Sequence, residues 1–99
     1  MGRPFYAEYV QHALRYYSRN LERPTFNNDV DKNNWLSCHS VLTKYTGRDR
    51  EILTAIYAGF DTLSDEVYSV SRRYNIHQNL LWDMMKELER KVARRRGLI

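Results

Sequence analysis

Near the C-terminal end, polar and charged side chains recur at helical spacing among large apolar ones. If Leu81, Met84, Met85, Leu88 and Val92 form the buried stripe of one helix, Asn79, Asp83, Lys86, Arg90 and Arg94 fall on the opposite face, with Trp82 on its flank. These residue types suit contact with nucleic acid. An Asn amide pairs with both edge groups of adenine, an Asp carboxylate accepts from cytosine N4, and an indole packs on a thymine methyl. Lys and Arg hold phosphates, which sets register without reading sequence. Other chemistry finds little footing. His12, His39 and His77 never stand four apart, and Cys38 and His39 are adjacent, so they point about 100° apart on a helix. No metal site is expected, nor any cofactor. Without a nucleophile elbow, a phosphate-cradling glycine loop or a paired-carboxylate motif, the expectation is a protein that is not an enzyme.

The charge distribution points the same way. The 99 residues carry 16 Lys and Arg against 12 Asp and Glu, a net charge of +4. Residues 1–85 are balanced, and the whole excess lies in residues 86–99, where Lys86, Arg90, Lys91, Arg94, Arg95 and Arg96 face only Glu87 and Glu89. Such a stretch commonly meets phosphate or an acidic surface, although a solvated terminal helix would also carry it. The length suits one domain, 1–99. No apolar run reaches the roughly 18 residues of a membrane span, and Met1 to Pro4 opens without an apolar signal core. With Cys38 as the single cysteine, a reducing, cytoplasmic compartment fits.

Five helices are needed to position these residues. The first is expected from Pro4 to about Arg19, with Tyr6, Val10, Leu14 and Tyr17 inward; Pro24 then turns Arg23 away from helical geometry. The second runs from Asn28 or Asp29 to about Tyr45, its stripe of Trp35, Cys38, Leu42 and Tyr45 widened by Val30, Leu36 and Val41. Thr46 caps a third helix, with Asp49 in capping-box register, and Gly59 stops it. Ser64 is expected to cap the fourth, which places Val67, Val70, Ser71 and Tyr74 inward and ends at Asn75 in a left-handed cap. The fifth extends from His77 to about Arg95. The fold class is therefore all-α, a single domain with a two-helix element in residues 1–45 and a three-helix module in 46–96.

Within that module, residues 67–86 follow the spacing of a helix-turn-helix. Ser71 is the small residue where the helices cross, Asn75 takes the turn four positions later, and Val70, Tyr74, Ile76, Leu81 and Met84 wedge the pair. The run Tyr45-Thr46-Gly47-Arg48-Asp49-Arg50-Glu51-Ile52-Leu53, then Tyr57, resembles the opening of region four of bacterial sigma-70-type factors. Residues 66–92, EVYSVSRRYNIHQNLLWDMMKELERKV, continue that resemblance through Arg72, Arg73, Ile76 and Leu81. It covers residues 45–96. The whole is more similar to the small stand-alone regulators of phages and mobile elements that borrow this module than to a working sigma factor.

The resemblance implies a DNA-binding protein of transcription regulation, with His77, Gln78, Asn79, Trp82, Asp83 and Lys86 facing the major groove of double-stranded DNA. Lys86, Arg90, Arg94 and the preceding pair Arg72 and Arg73 would hold phosphates, and RNA polymerase would be a further partner. The competing reading is a helical protein-interaction module that binds RNA polymerase, a phage packaging partner or itself. Phe5, Tyr6, Tyr9, Tyr16 and Tyr17 lie on more than one face of the first helix, which suggests a homodimer seam there.

Overall fold

The computed structural model describes residues 3–22 and 24–99, and every regular element among them is a helix: α1 (Ala7–Arg19), α2 (Asp29–Leu42), α3 (Gly47–Ala58), α4 (Leu63–Tyr74) and α5 (Gln78–Arg96). Met1, Gly2 and the expected turn at Arg23 lie outside the described residues. Among the described residues, no helix is long and apolar enough to cross a membrane.

The helix ends follow from local hydrogen bonding. The Pro4 carbonyl accepts from the Ala7 N–H at 3.0 Å, a tight turn that delays α1 to Ala7. The Asn28 side chain accepts from the Asp31 N–H at 2.9 Å and caps α2. That helix stops at Leu42 rather than Tyr45, because the N–H groups of Lys44 and Tyr45 bond three residues back, to Val41 and Leu42, and tighten the chain into a corner. Thr46 caps α3 through the Asp49 N–H at 3.2 Å, as its spacing predicts. The cap of α4 is Thr62, not Ser64: its hydroxyl accepts from the Asp65 N–H at 3.3 Å. The preceding loop is drawn in by Glu66, whose carboxylate accepts from the Asp61 N–H at 3.0 Å. A Cβ at Gly59 would meet that carboxylate, so a larger residue there would have to displace the flexible Glu66 side chain from its bond to Asp61.

One core runs through all five helices. Leu14 and Tyr17 of α1, Cys38 and Leu42 of α2, Ile52, Leu53, Ile56 and Tyr57 of α3, Val67 and Val70 of α4, and Leu81, Met85, Leu88 and Val92 of α5 are buried together. α1 packs on α2, α3 and α5, α2 also packs on α5, and α4 bridges α3 and α5. The radius of gyration, 12.9 Å, is that of one compact body of about 100 residues, so residues 1–45 are not a separate appendage.

Three sequence expectations about burial change. Val30 and Leu36 are 50% and 45% exposed, because α2 has neighbours only on the side of Trp35, Cys38 and Leu42. Met84 is half-buried at the rim of the α5 stripe. Glu89 and Ala93 are buried instead, since α1 and α2 close over the C-terminal half of α5 and widen its inward face.

Candidate nucleic-acid interface

The connection between α4 and α5 is short and held from both sides. Asn75 takes φ 55° and ψ 50°, the left-handed region that short polar side chains enter most readily after glycine. The N–H groups of Asn75 and Ile76 both bond to the Ser71 carbonyl, and the Ser71 hydroxyl donates to the Ile76 carbonyl. Ser71 thus contributes a hydrogen bond across the turn as well as a small volume. His77 follows as the N-cap of α5, its Nδ1 accepting from the Asn79 N–H at 3.1 Å, which requires the ring hydrogen on Nε2. The structure therefore gives His77 a capping bond, where the sequence reading made it only a groove contact.

From that cap, α5 presents Asn79, Trp82, Asp83, Lys86, Arg90 and Arg94 to solvent, while Gln78 is half-buried. The exposed face is broader and less cationic than its spacing suggests, since Leu80 (57% exposed) and Glu87 share it. Arg90 Nη2 meets Glu87 Oε1 at 2.8 Å, and Lys91 Nζ lies 3.9 Å from the same oxygen. The hydrogen bond from Arg90 holds the Glu87 carboxyl below its ordinary range. Among the described residues Asp83, Lys86 and Arg94 make no ion pair.

Arg72 and Arg73 are exposed on the last turn of α4, where positive charge also complements the helix dipole. Arg72 reaches the Tyr68 hydroxyl at 3.3 Å and lies over its ring. It lines one shallow depression together with Ser71, Asn75, Ile76 and His77, so the fold brings the α4 arginine and the α5 cap together. Trp82 and Lys86 instead border a cleft of about 620 Å³ between α1, α5 and the start of α4, with Gln11 and Glu89 also in its lining. Arg94 lies on the other flank of α5, in a groove beside Lys44 and Tyr45.

No protein family, curated protein or solved structure matches the chain.

The buried carboxylate of Glu89 is absent from the sequence reading. It accepts from the Tyr57 hydroxyl at 2.6 Å and from Gln11 Nε2 at 3.2 Å, tying α1, α3 and α5 together. Burial raises its pKa against the lowering effect of these hydrogen bonds, and burial next to Glu89 lifts the Tyr57 hydroxyl well above the phenol range. The available signal was its place one residue after Leu88 and four after Met85, at the edge of the apolar stripe. Its burial has a consequence for charge: of the two carboxylates in residues 86–99, only Glu87 remains at the surface. The described residues contain no group of three or more His, Cys, Asp and Glu side chains able to hold a metal ion. Cys38 is buried and its thiol pushed up to about 12 by desolvation, which makes it a core residue.

Proposed function

We propose that α4 and α5 act as a helix-turn-helix and that the protein is a sequence-specific double-stranded DNA-binding regulator of transcription. The observation carrying this reading is the polar front of α5. Asn79, Asp83 and Lys86 stand exposed on the first turns of a helix whose angle to α4 is set by the left-handed Asn75 and the Ser71 hydrogen bond. A helix of that kind enters the major groove with base-reading side chains near its N-terminal end. Asn79 and Gln78 would address adenine, Asp83 cytosine and Trp82 a thymine methyl, while Lys86, Arg94, Arg72 and Arg73 neutralise phosphates. Arg90 contributes less, because Glu87 already engages it. The likeness of residues 45–96 to sigma region four supports transcription as the setting.

Fluorescence anisotropy against selected and random duplexes at several salt concentrations tests the reading. Lys86→Ala and Arg94→Ala should weaken binding to all duplexes alike and lower the salt slope by about one unit each. Asn79→Ala should cost about 1–3 kcal/mol on the preferred site and little on random DNA. A protein with neither salt-dependent affinity nor a preferred duplex does not bind DNA in this way. The exposed Leu80 and Phe60, 57% and 87% accessible, would then favour the interaction-module reading.

A further inference from the structure

The corner between α2 and α3 and the C-terminal half of α5 enclose an open groove of about 550 Å³. Its cations come from two distant stretches of chain, Lys44 at the corner and Lys91, Arg94 and Arg95 on α5, against one carboxylate in the lining, Asp49. The Tyr45 hydroxyl is buried there without a hydrogen-bond partner among the described residues. Such an atom is uncommon, because a buried donor left unmade costs its full desolvation. Lys91 lies over the Tyr45 ring, its Nζ 5.1 Å from the centroid, and its other tie is the long 3.9 Å contact to Glu87. That tie is solvent-exposed and weak. Arg94 belongs both to this groove and to the basic face of α5, so the two surfaces are continuous.

The geometry points to this groove as a second DNA-backbone site, in which Lys44, Lys91, Arg94 and Arg95 hold a phosphate flanking the segment read by α5. The inference rests on the DNA-binding reading above and extends it to residues 44–45, outside the helix-turn-helix. An incoming phosphate competes with Glu87 for Lys91. As the lysine moves toward the phosphate, the Tyr45 hydroxyl, a donor with no partner among the described residues, donates to a phosphate oxygen. Burial, then the Glu87 and Asp49 carboxylates, raise the pKa of this hydroxyl, so it carries its proton at neutral pH. A DNA phosphate fits better than a free one, because the groove is open and joins the α5 face through a shared arginine.

The test measures anisotropy with the full chain and its preferred duplex, using Lys44→Ala, Arg95→Ala and Tyr45→Phe, none of which alters the α5 front. The two charge removals should each lower the salt slope by about 0.9. Tyr45→Phe should weaken binding about fivefold with the slope unchanged, the size of one hydrogen bond. Trimming the flanking DNA by one helical turn, about 10 bp, should weaken the wild type but not the Lys44→Ala/Arg95→Ala double variant. If these variants match the wild type while Lys86→Ala still loses affinity, the groove inference is overturned and the DNA reading stands. If no duplex binds the wild type, both fall. Amide NMR with inorganic phosphate alone separates the sources. Millimolar, weak shifts at Lys44 and Arg95 agree with a backbone site, whereas tight saturation with unchanged duplex affinity would make it a free-phosphate site and overturn the inference.

Discussion

Glu89 is the residue whose environment departs most from its sequence context. Its carboxyl is buried, no cation lies within ion-pair distance among the described residues, and its pKa is raised by burial. An acid with a raised folded-state pKa binds its proton more tightly folded than unfolded. It therefore favours folding most below its ordinary unfolded pKa, and that contribution is lost as pH rises through the higher folded value. Glu89→Gln keeps an acceptor for Tyr57 and removes the buried charge. Its melting temperature should exceed that of the wild type at pH 7, with the gain shrinking toward pH 4. A gain independent of pH would mean that Glu89 is solvated. Tyr57→Phe removes the 2.6 Å bond and should cost about 1–3 kcal/mol in denaturant unfolding.

At the scale of elements, the α4–α5 turn depends on two side chains doing different things. Asn75 holds φ 55°, so Asn75→Gly should be neutral or stabilising, while Asn75→Ala should cost about 1–2 kcal/mol. Ser71 is half-buried and donates to the Ile76 carbonyl. Ser71→Leu should overpack the crossing and cost about 1–3 kcal/mol, and Ser71→Ala about 1 kcal/mol through the lost bond. Smallness alone would have made the alanine change neutral. Thermal melts followed by circular dichroism check all four variants, and unchanged melting in both Ser71 variants would place that side chain outside the crossing.

For the whole molecule, α1 has a double relation to the rest. Tyr17 is fully buried, and Tyr6 and Tyr16 are half-buried against the core, so most of the aromatic load that suggested a dimer seam serves intramolecular packing. Phe5 (81% exposed) and Tyr9 (42% exposed) remain for self-association. Because Leu14 and Tyr17 are core residues, removing α1 would unfold the protein rather than report on a dimer. Phe5→Ser with Tyr9→Ser tests the seam without touching the core. Sedimentation velocity should show a concentration-dependent dimer for the wild type and a monomer for the double variant; a wild type that stays monomeric at high micromolar concentration ends the idea.

Periodicity and end signals were enough for the five helices, the cap at Thr46, the left-handed Asn75 and the buried line Leu81–Leu88–Val92, because each depends on neighbours within a turn or two of chain. The exposed face of α5 was legible for the same reason. Which helix lies against which face was not written at that range. Spacing treats Val30 and Leu36 as core, yet α2 meets neighbours on one side only, and it leaves Glu89 outside the buried stripe, yet Gln11 and Tyr57 arrive from 78 and 32 residues away to hold it. The same long-range packing brought Lys44 to Lys91, Arg94 and Arg95 around the Tyr45 hydroxyl. Hydrogen bonds and charge groupings between distant segments exist only once burial has chosen the partners, so tertiary structure alone placed the groove and the buried carboxylate.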